Sequence, residues 1–172
     1  RTKKNKLLSD KGDKKGLIIN HKDILDQNLF DFLSNIDVVH YTKFDADVAS
    51  RYDYIVLSGG PIHISNPDDL KEEKEFLRHT RLPIFGVCLG FQILNVIEGS
   101  PLRQLSHGRI IGKIHISFER LSGEMQYNHG WYIDVNDVNK EKYEVIAKTT
   151  NEIALAIKAK DRLILAVQGH PE

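Results

Sequence analysis

The stretch Pro83-Ile84-Phe85-Gly86-Val87-Cys88-Leu89-Gly90-Phe91-Gln92-Ile93-Leu94 holds the only cysteine in the chain. Its first part is an apolar run headed by proline, which predicts a short buried strand. After Gly90 the apolar residues Phe91, Leu94 and Ile97 fall at helical spacing, so a helix follows. Cys88 is thereby placed in the tight turn between a strand and a helix, with Gly86 and Gly90 on either side.

Gly-x-Cys-x-Gly is the thiol counterpart of the Gly-x-Ser-x-Gly nucleophile elbow. A sharp turn pushes the nucleophile out of the sheet toward substrate. Glycines two residues away remove side chains that would clash in so tight a bend. The free N–H groups and positive dipole end of a following helix favour a thiolate over a thiol. A buried structural cysteine is the other reading of this window, since free cysteine is among the most buried residue types.

The elements around this turn alternate. Gly16 to Asn20 predicts a first strand, Ile24, Leu25, Leu29, Phe32 and Leu33 a helix, Ile36 to Tyr41 a second strand and Tyr52 to Leu57 a third. Ser58-Gly59-Gly60-Pro61 follows, then a charged helix from Asp68 to His79 with Leu70, Phe76 and Leu77 available for packing. This rhythm implies a parallel sheet wrapped by helices, with sites at the carboxyl ends of the strands. The second half is richer in strands: Arg109 to Phe118, Tyr132 to Val135, Tyr143 to Thr149, Ile153 to Lys158 and Leu163 to Val167. Residues 1–15 are lysine-rich and aperiodic and read as a flexible basic lead-in to one domain over 16–172.

Charge and cysteine content narrow the function classes. Lys plus Arg and Asp plus Glu both number 24 in 172 residues, so nothing points to a nucleic acid or membrane held by charge. One cysteine excludes an internal disulfide and a cysteine-rich zinc site, and neither metal nor cofactor is expected. No apolar run suits a membrane span or a secretory signal, and a cytoplasmic location is expected.

A cysteine hydrolase needs a base for the thiol proton and a group to orient that base. The last predicted strand ends at Gln168-Gly169-His170-Pro171-Glu172, which supplies both types two residues apart. An exposed tail is the alternative for these residues. The Gly59-Gly60 turn is first a tight turn. It also frees a backbone N–H that could join that of Leu89 in an oxyanion hole.

Ser-Gly-Gly-Pro, Gly-Val-Cys-Leu-Gly-Phe-Gln and His-Pro-Glu, in that order, resemble the class I (triad) glutamine amidotransferases. The resemblance implies a Rossmann-like fold, with a mostly parallel central sheet flanked by helices and a β-rich second half. It implies that Cys88 attacks the side-chain amide of glutamine to form a thioester. His170 would be base and acid, Glu172 its orienter, and the N–H groups of Gly60 and Leu89 the oxyanion hole. Gly59 and Gln92 would contact the glutamine. Asn128-His129-Gly130-Trp131 resembles the segment with which the carbamoyl-phosphate synthetase small subunit holds the α-amino and carboxylate groups of glutamine. That adds Asn128, Gly130 and Trp131 to substrate binding and leaves His129 outside the chemistry. Ser106-His107-Gly108-Arg109 is similar instead to a segment of the anthranilate and aminodeoxychorismate synthase small subunits. Surface histidines on a hairpin are the other reading of His107 and His115.

Three departures from the family pattern stand out. Gly169 replaces a phenylalanine, Ile97-Glu98-Gly99-Ser100 follows the elbow helix where the family has paired small residues, and the family's C-terminal helix is missing after Glu172. Gly169 is expected to loosen the backbone of His170. The function implied is a glutaminase that delivers ammonia to a synthase partner. A stand-alone γ-glutamyl hydrolase of the same fold is the first alternative, and a catalytically silent regulatory domain the second.

Overall fold

The computed structural model describes residues 14–23, 35–118 and 121–170. In chain order the first half contains β1 (Gly16–Asn20), β2 (Ile36–His40), α1 (Ala46–Ala49), β3 (Tyr54–Leu57), α2 (Lys71–His79), β4 (Ile84–Val87) and α3 (Leu89–Val96). The second half contains β5 (Arg103–Gln104), β6 (Ile110–Phe118), β7 (Leu121–His129), β8 (Trp131–Tyr132), β9 (Tyr143–Lys148), β10 (Ala154–Ala159) and β11 (Ile164–Val167). The helix expected over Ile24 to Leu33 lies outside the described residues, as do most of the lead-in and Glu172.

Seven strands form the main sheet in the order β2-β1-β3-β4-β11-β10-β9. Every neighbour pair from β2 to β11 is parallel, and β10 and β9 extend the sheet antiparallel at one edge. The fold is thus α/β with a mostly parallel central sheet, as the strand–helix rhythm implies. The last strand in sequence, β11, does not lie at the edge. It inserts beside β4, with Val167 opposite Val87, and so brings His170 toward the cysteine.

The inner parallel strands are apolar on both faces where they are covered on both, whereas the edge strand β2 is partly exposed. Ile18, Ile19, Ile55 and Leu57 have no exposed surface. The elbow helix α3 is buried from Leu89 through Asn95, which explains why its sequence is apolar almost all round. Gly86 and Gly90 let it lie against the sheet: a Cβ on Gly90 would sit 2.6 Å from the Leu57 carbonyl oxygen, and one on Gly86 would meet Gly90 at 2.9 Å. The far end of the helix is tied down by the Tyr143 hydroxyl, which donates to the Leu94 carbonyl at 2.9 Å.

The strands β5 and β7 and the short helix α1 have no counterpart in the sequence reading, and two expected elements change their bounds for a clear physical reason. Helix α2 begins at Lys71 rather than Asp68, because Leu70 takes a left-handed conformation (φ 52°) and Asp69 instead accepts from the Asn66 N–H at 3.0 Å. Its charged face is not wholly solvated: Glu73 and Lys74 are buried. The strand expected over Tyr132 to Val135 ends at Tyr132, since Asp134 accepts from the Asn136 N–H and opens a short 3₁₀ turn. Beyond the main sheet, β6 and β7 form a long antiparallel hairpin, and β5 pairs with β8.

Candidate active site

Cys88 stands at the carboxyl end of β4 with φ 51° and ψ −101°. An L-residue in that region is strained, and such strain clusters at functional turns. Its N–H donates to the Val167 carbonyl at 2.8 Å, so the turn is fastened to β11. His170 follows three residues beyond that carbonyl. A Cβ placed on Gly59 would lie 3.3 Å from Cys88 Cβ, 3.2 Å from His170 Cε1 and 2.8 Å from Asp23 Oδ2. The thiol carrier, the imidazole and the glycine turn therefore converge on one point where three parallel strands end.

That point opens into a cavity of about 550 Å³. Gly60, Cys88, Leu89, Gln92, Asn128, Gly130, Trp131 and His170 all line it; Gly59 lies beside Cys88 but is not among the lining residues. Among the described residues neither the Gly60 nor the Leu89 N–H has a hydrogen-bond partner. Glu172 lies outside the described residues.

Gln92 is almost fully buried, and its amide is engaged. Nε2 donates to the Trp131 carbonyl and to Gln168 Oε1, both at 3.2 Å. Only its Oε1 is left to meet a ligand. Asn128 is similarly committed: Arg109 donates from Nε to Asn128 Oδ1 at 2.5 Å and from Nη2 to its carbonyl at 2.8 Å. The Asn128 NH₂ is the group available to a ligand. His129 is buried with Nδ1 2.6 Å from the Trp131 carbonyl. Burial holds its imidazole below the ordinary histidine range; the carbonyl opposes that shift and Arg109 adds to it. Nδ1 then carries the proton, and Nε2 has no partner among the described residues.

Sequence reasoning missed three residues here. Gln168 is buried, accepts from Gln92 and donates from Nε2 toward Cys88 Sγ at 3.6 Å. Its position two residues before His170, a spacing that puts side chains on one side of an extended segment, is the signal that could have found it. Asp23 reaches the site from the end of β1, its N–H bonded to Asn20 Oδ1 at 2.9 Å. Arg109 lines the cavity with Gly108, whereas His107 and His115 are exposed on the hairpin side.

Gly169 is not a loosening residue. His170 makes a two-way backbone bridge with Gln126 of β7, its N–H donating at 2.7 Å and its carbonyl accepting at 3.3 Å. A Cβ on Gly169 would stand 2.8 Å from the Gln126 carbonyl oxygen and 3.1 Å from Met125 Cβ. Glycine is what lets the β6–β7 hairpin close over the histidine. Gly169→Phe, which restores the family's usual residue, is therefore expected to lower activity. A displacement of the imidazole by about 1 Å costs on the order of a hundredfold in kcat. Steady-state kinetics beside a thermal melt measure it, and an unchanged kcat would contradict the packing argument.

Fold and site together define an α/β protein whose strained cysteine elbow faces a histidine across a shared, polar-lined cavity. The chain belongs to the class I glutamine amidotransferase family, whose model matches residues 17–172. It is similar to the arginine-specific small chain of carbamoyl phosphate synthase from Saccharomyces cerevisiae, 28% identical over 160 residues, covering 81% of this chain and 36% of the yeast protein. It is also similar to the glutamine-hydrolysing GMP synthase of Thermosipho africanus, 33% identical over 125 residues, covering 69% of this chain and 24% of that protein. The chain thus spans about a quarter to a third of the length of these relatives. Among solved structures, a glutamine amidotransferase from Thermotoga maritima superposes with a TM-score of 0.71 at 18% identity, covering 91% of this chain and 75% of that one. At that identity the likeness speaks for the fold.

Proposed function

We propose that this chain hydrolyses the side-chain amide of glutamine and passes the ammonia to a synthase subunit or domain. The observation that carries the reading is the convergence of Cys88 and His170 beside Gly59, with Gly60 and Leu89 lining the same cavity and their N–H groups without a partner among the described residues. Cys88 sulfur attacks the amide carbon while His170 takes the thiol proton. The amide oxygen becomes an oxyanion held by the two N–H groups, which act best where charge develops. Collapse of the adduct breaks the C–N bond, and His170 returns the proton to the departing ammonia. Water, deprotonated by the same imidazole, then cleaves the thioester to glutamate and restores the thiol. Glu172 orients His170. Asp23 and Arg109 bring opposite charges to the cavity, which suits the ammonium and carboxylate of an amino-acid substrate. The Asn128 NH₂, the Gln92 Oε1, Gly59 and the backbone at Gly130 and Trp131 complete the clamp.

Two of the relatives named above are the small chain of a synthase and a glutamine-hydrolysing synthase, which supports ammonia delivery over free hydrolysis. Among the described residues no helix is long and apolar enough to cross a membrane. The test is release of ammonia and glutamate from glutamine by the purified chain, alone and with candidate synthase partners. Slow turnover alone and strong stimulation by a partner are expected, because hydrolysis without an acceptor wastes glutamine. Fast, partner-independent cleavage of γ-glutamyl anilides larger than glutamine would decide for a γ-glutamyl hydrolase instead.

A further inference from the structure

We propose that a buried His21–Glu73 pair positions the oxyanion hole of this site, acting through Ser58. The inference rests on the glutaminase reading above. His21 follows β1 and is 0% exposed; Glu73, in the first turn of α2, is 2% exposed. Their contact is 2.6 Å, between His21 Nε2 and Glu73 Oε1, and His21 Nδ1 lies 3.2 Å from the Ser58 carbonyl oxygen. A carbonyl only accepts, so Nδ1 carries a hydrogen, and one further proton must lie between Nε2 and Oε1. The imidazole is thereby locked between α2 and the strand end before the Gly59-Gly60 turn.

The lock reaches the oxyanion donor through two more bonds. The His21 N–H donates to Ser58 Oγ at 2.9 Å, and the Ser58 hydroxyl donates to the Gly59 carbonyl at 2.8 Å. That carbonyl shares a peptide unit with the Gly60 N–H, and the described residues contain no cis peptide bond. In a planar trans unit the C=O and N–H point opposite ways, so holding the Gly59 carbonyl aims the Gly60 N–H. The His21 carbonyl supports the same turn from below, only 1.8 Å from where a Cβ on Gly60 would sit.

A buried carboxylate is costly to keep, and Glu73 Oε2 has no partner among the described residues. No other part of the mechanism uses this pair. Orientation of a catalytic donor gives it a purpose that core packing does not, because an apolar pair would fill the same space without that cost.

The experiment compares two reagents on Cys88 in the wild-type chain and in His21→Ala, Ser58→Ala, Glu73→Ala and Glu73→Gln. A chloromethyl ketone analogue of glutamine reacts through an oxyanion adduct, whereas iodoacetamide alkylates sulfur without one. In His21→Ala, Ser58→Ala and Glu73→Ala the chloroketone rate and kcat for glutamine should fall on the order of a hundredfold, as for loss of one oxyanion donor. The KM and the iodoacetamide rate should stay within about twofold of wild type, since neither depends on the oxyanion. Glu73→Gln can donate an amide N–H to Nε2 while Nδ1–H stays on the Ser58 carbonyl, and should recover most of the loss. Unchanged chloroketone rates, or equal loss with both reagents, would overturn the proposal. Ser58→Ala removes one oxygen and decides alone should the His21 variant fail to fold. A wild-type chain that neither releases ammonia nor is labelled by the chloroketone would overturn the glutaminase reading itself, and this proposal with it.

Discussion

Cys88→Ala is expected to abolish ammonia release from glutamine and covalent labelling by glutamine-analogue electrophiles, while the fold survives. In the proposed mechanism the acyl intermediate forms on the sulfur of the chain's single cysteine, so no second thiol substitutes for it. Cys88→Ser is expected to be nearly as inactive, because a serine hydroxyl is not ionised at neutral pH. A companion variant separates chemistry from stability. Cys88 holds φ 51° with a side chain that makes this region costly. Cys88→Gly should therefore be inactive yet more stable, by about 1 kcal/mol, in a denaturant titration. Turnover persisting in Cys88→Ala would remove the mechanism. A destabilised Cys88→Gly would mean that the side chain's contacts outweigh the strain.

Gly60→Ala is the second large effect. Gly60 has φ 140°, and a Cβ there would stand 1.8 Å from the His21 carbonyl oxygen. The obstacle is backbone, so the turn has to move, and its N–H moves with it. Removing one oxyanion donor costs on the order of 10²–10³ in kcat, and a loss of that size is expected with little change in KM. Melting should also shift downward, because overpacking of this kind costs about 1–3 kcal/mol. A Gly60→Ala protein of wild-type kcat would mean that the oxyanion is held elsewhere.

What could be read from the residues was what local chemistry decides. The elbow is legible because a proline-headed apolar strand, two glycines and a helix-spaced apolar run each declare themselves within a few positions. The Ser58 to Pro61 turn and the clustering of sites at strand ends follow from the same local signals and from the rules of parallel sheets. Gly86 and Gly90 were readable as turn residues. That they also allow α3 to lie against Leu57 needed the packed structure.

Other features depended on residues distant in sequence. Helix α2 reads as a charged helix that packs through Leu70, Phe76 and Leu77, yet the fold buries Glu73 against His21, and nothing in either residue's own neighbourhood announces the pairing. Gly169 reads locally as conformational freedom, yet the β6–β7 hairpin presses Gln126 against it and makes it a point of close approach. Gln92 and Asn128 were picked out by motif, while the partners that occupy most of their hydrogen-bonding groups, Trp131, Gln168 and Arg109, come from segments distant in sequence. Sequence by itself determined the cysteine turn, the glycine turn and the α/β alternation, because strand, helix and turn preferences act over a few residues. Tertiary structure alone decided that β11 inserts beside β4 and delivers His170 to Cys88, because strand order is set by how distant apolar faces bury one another.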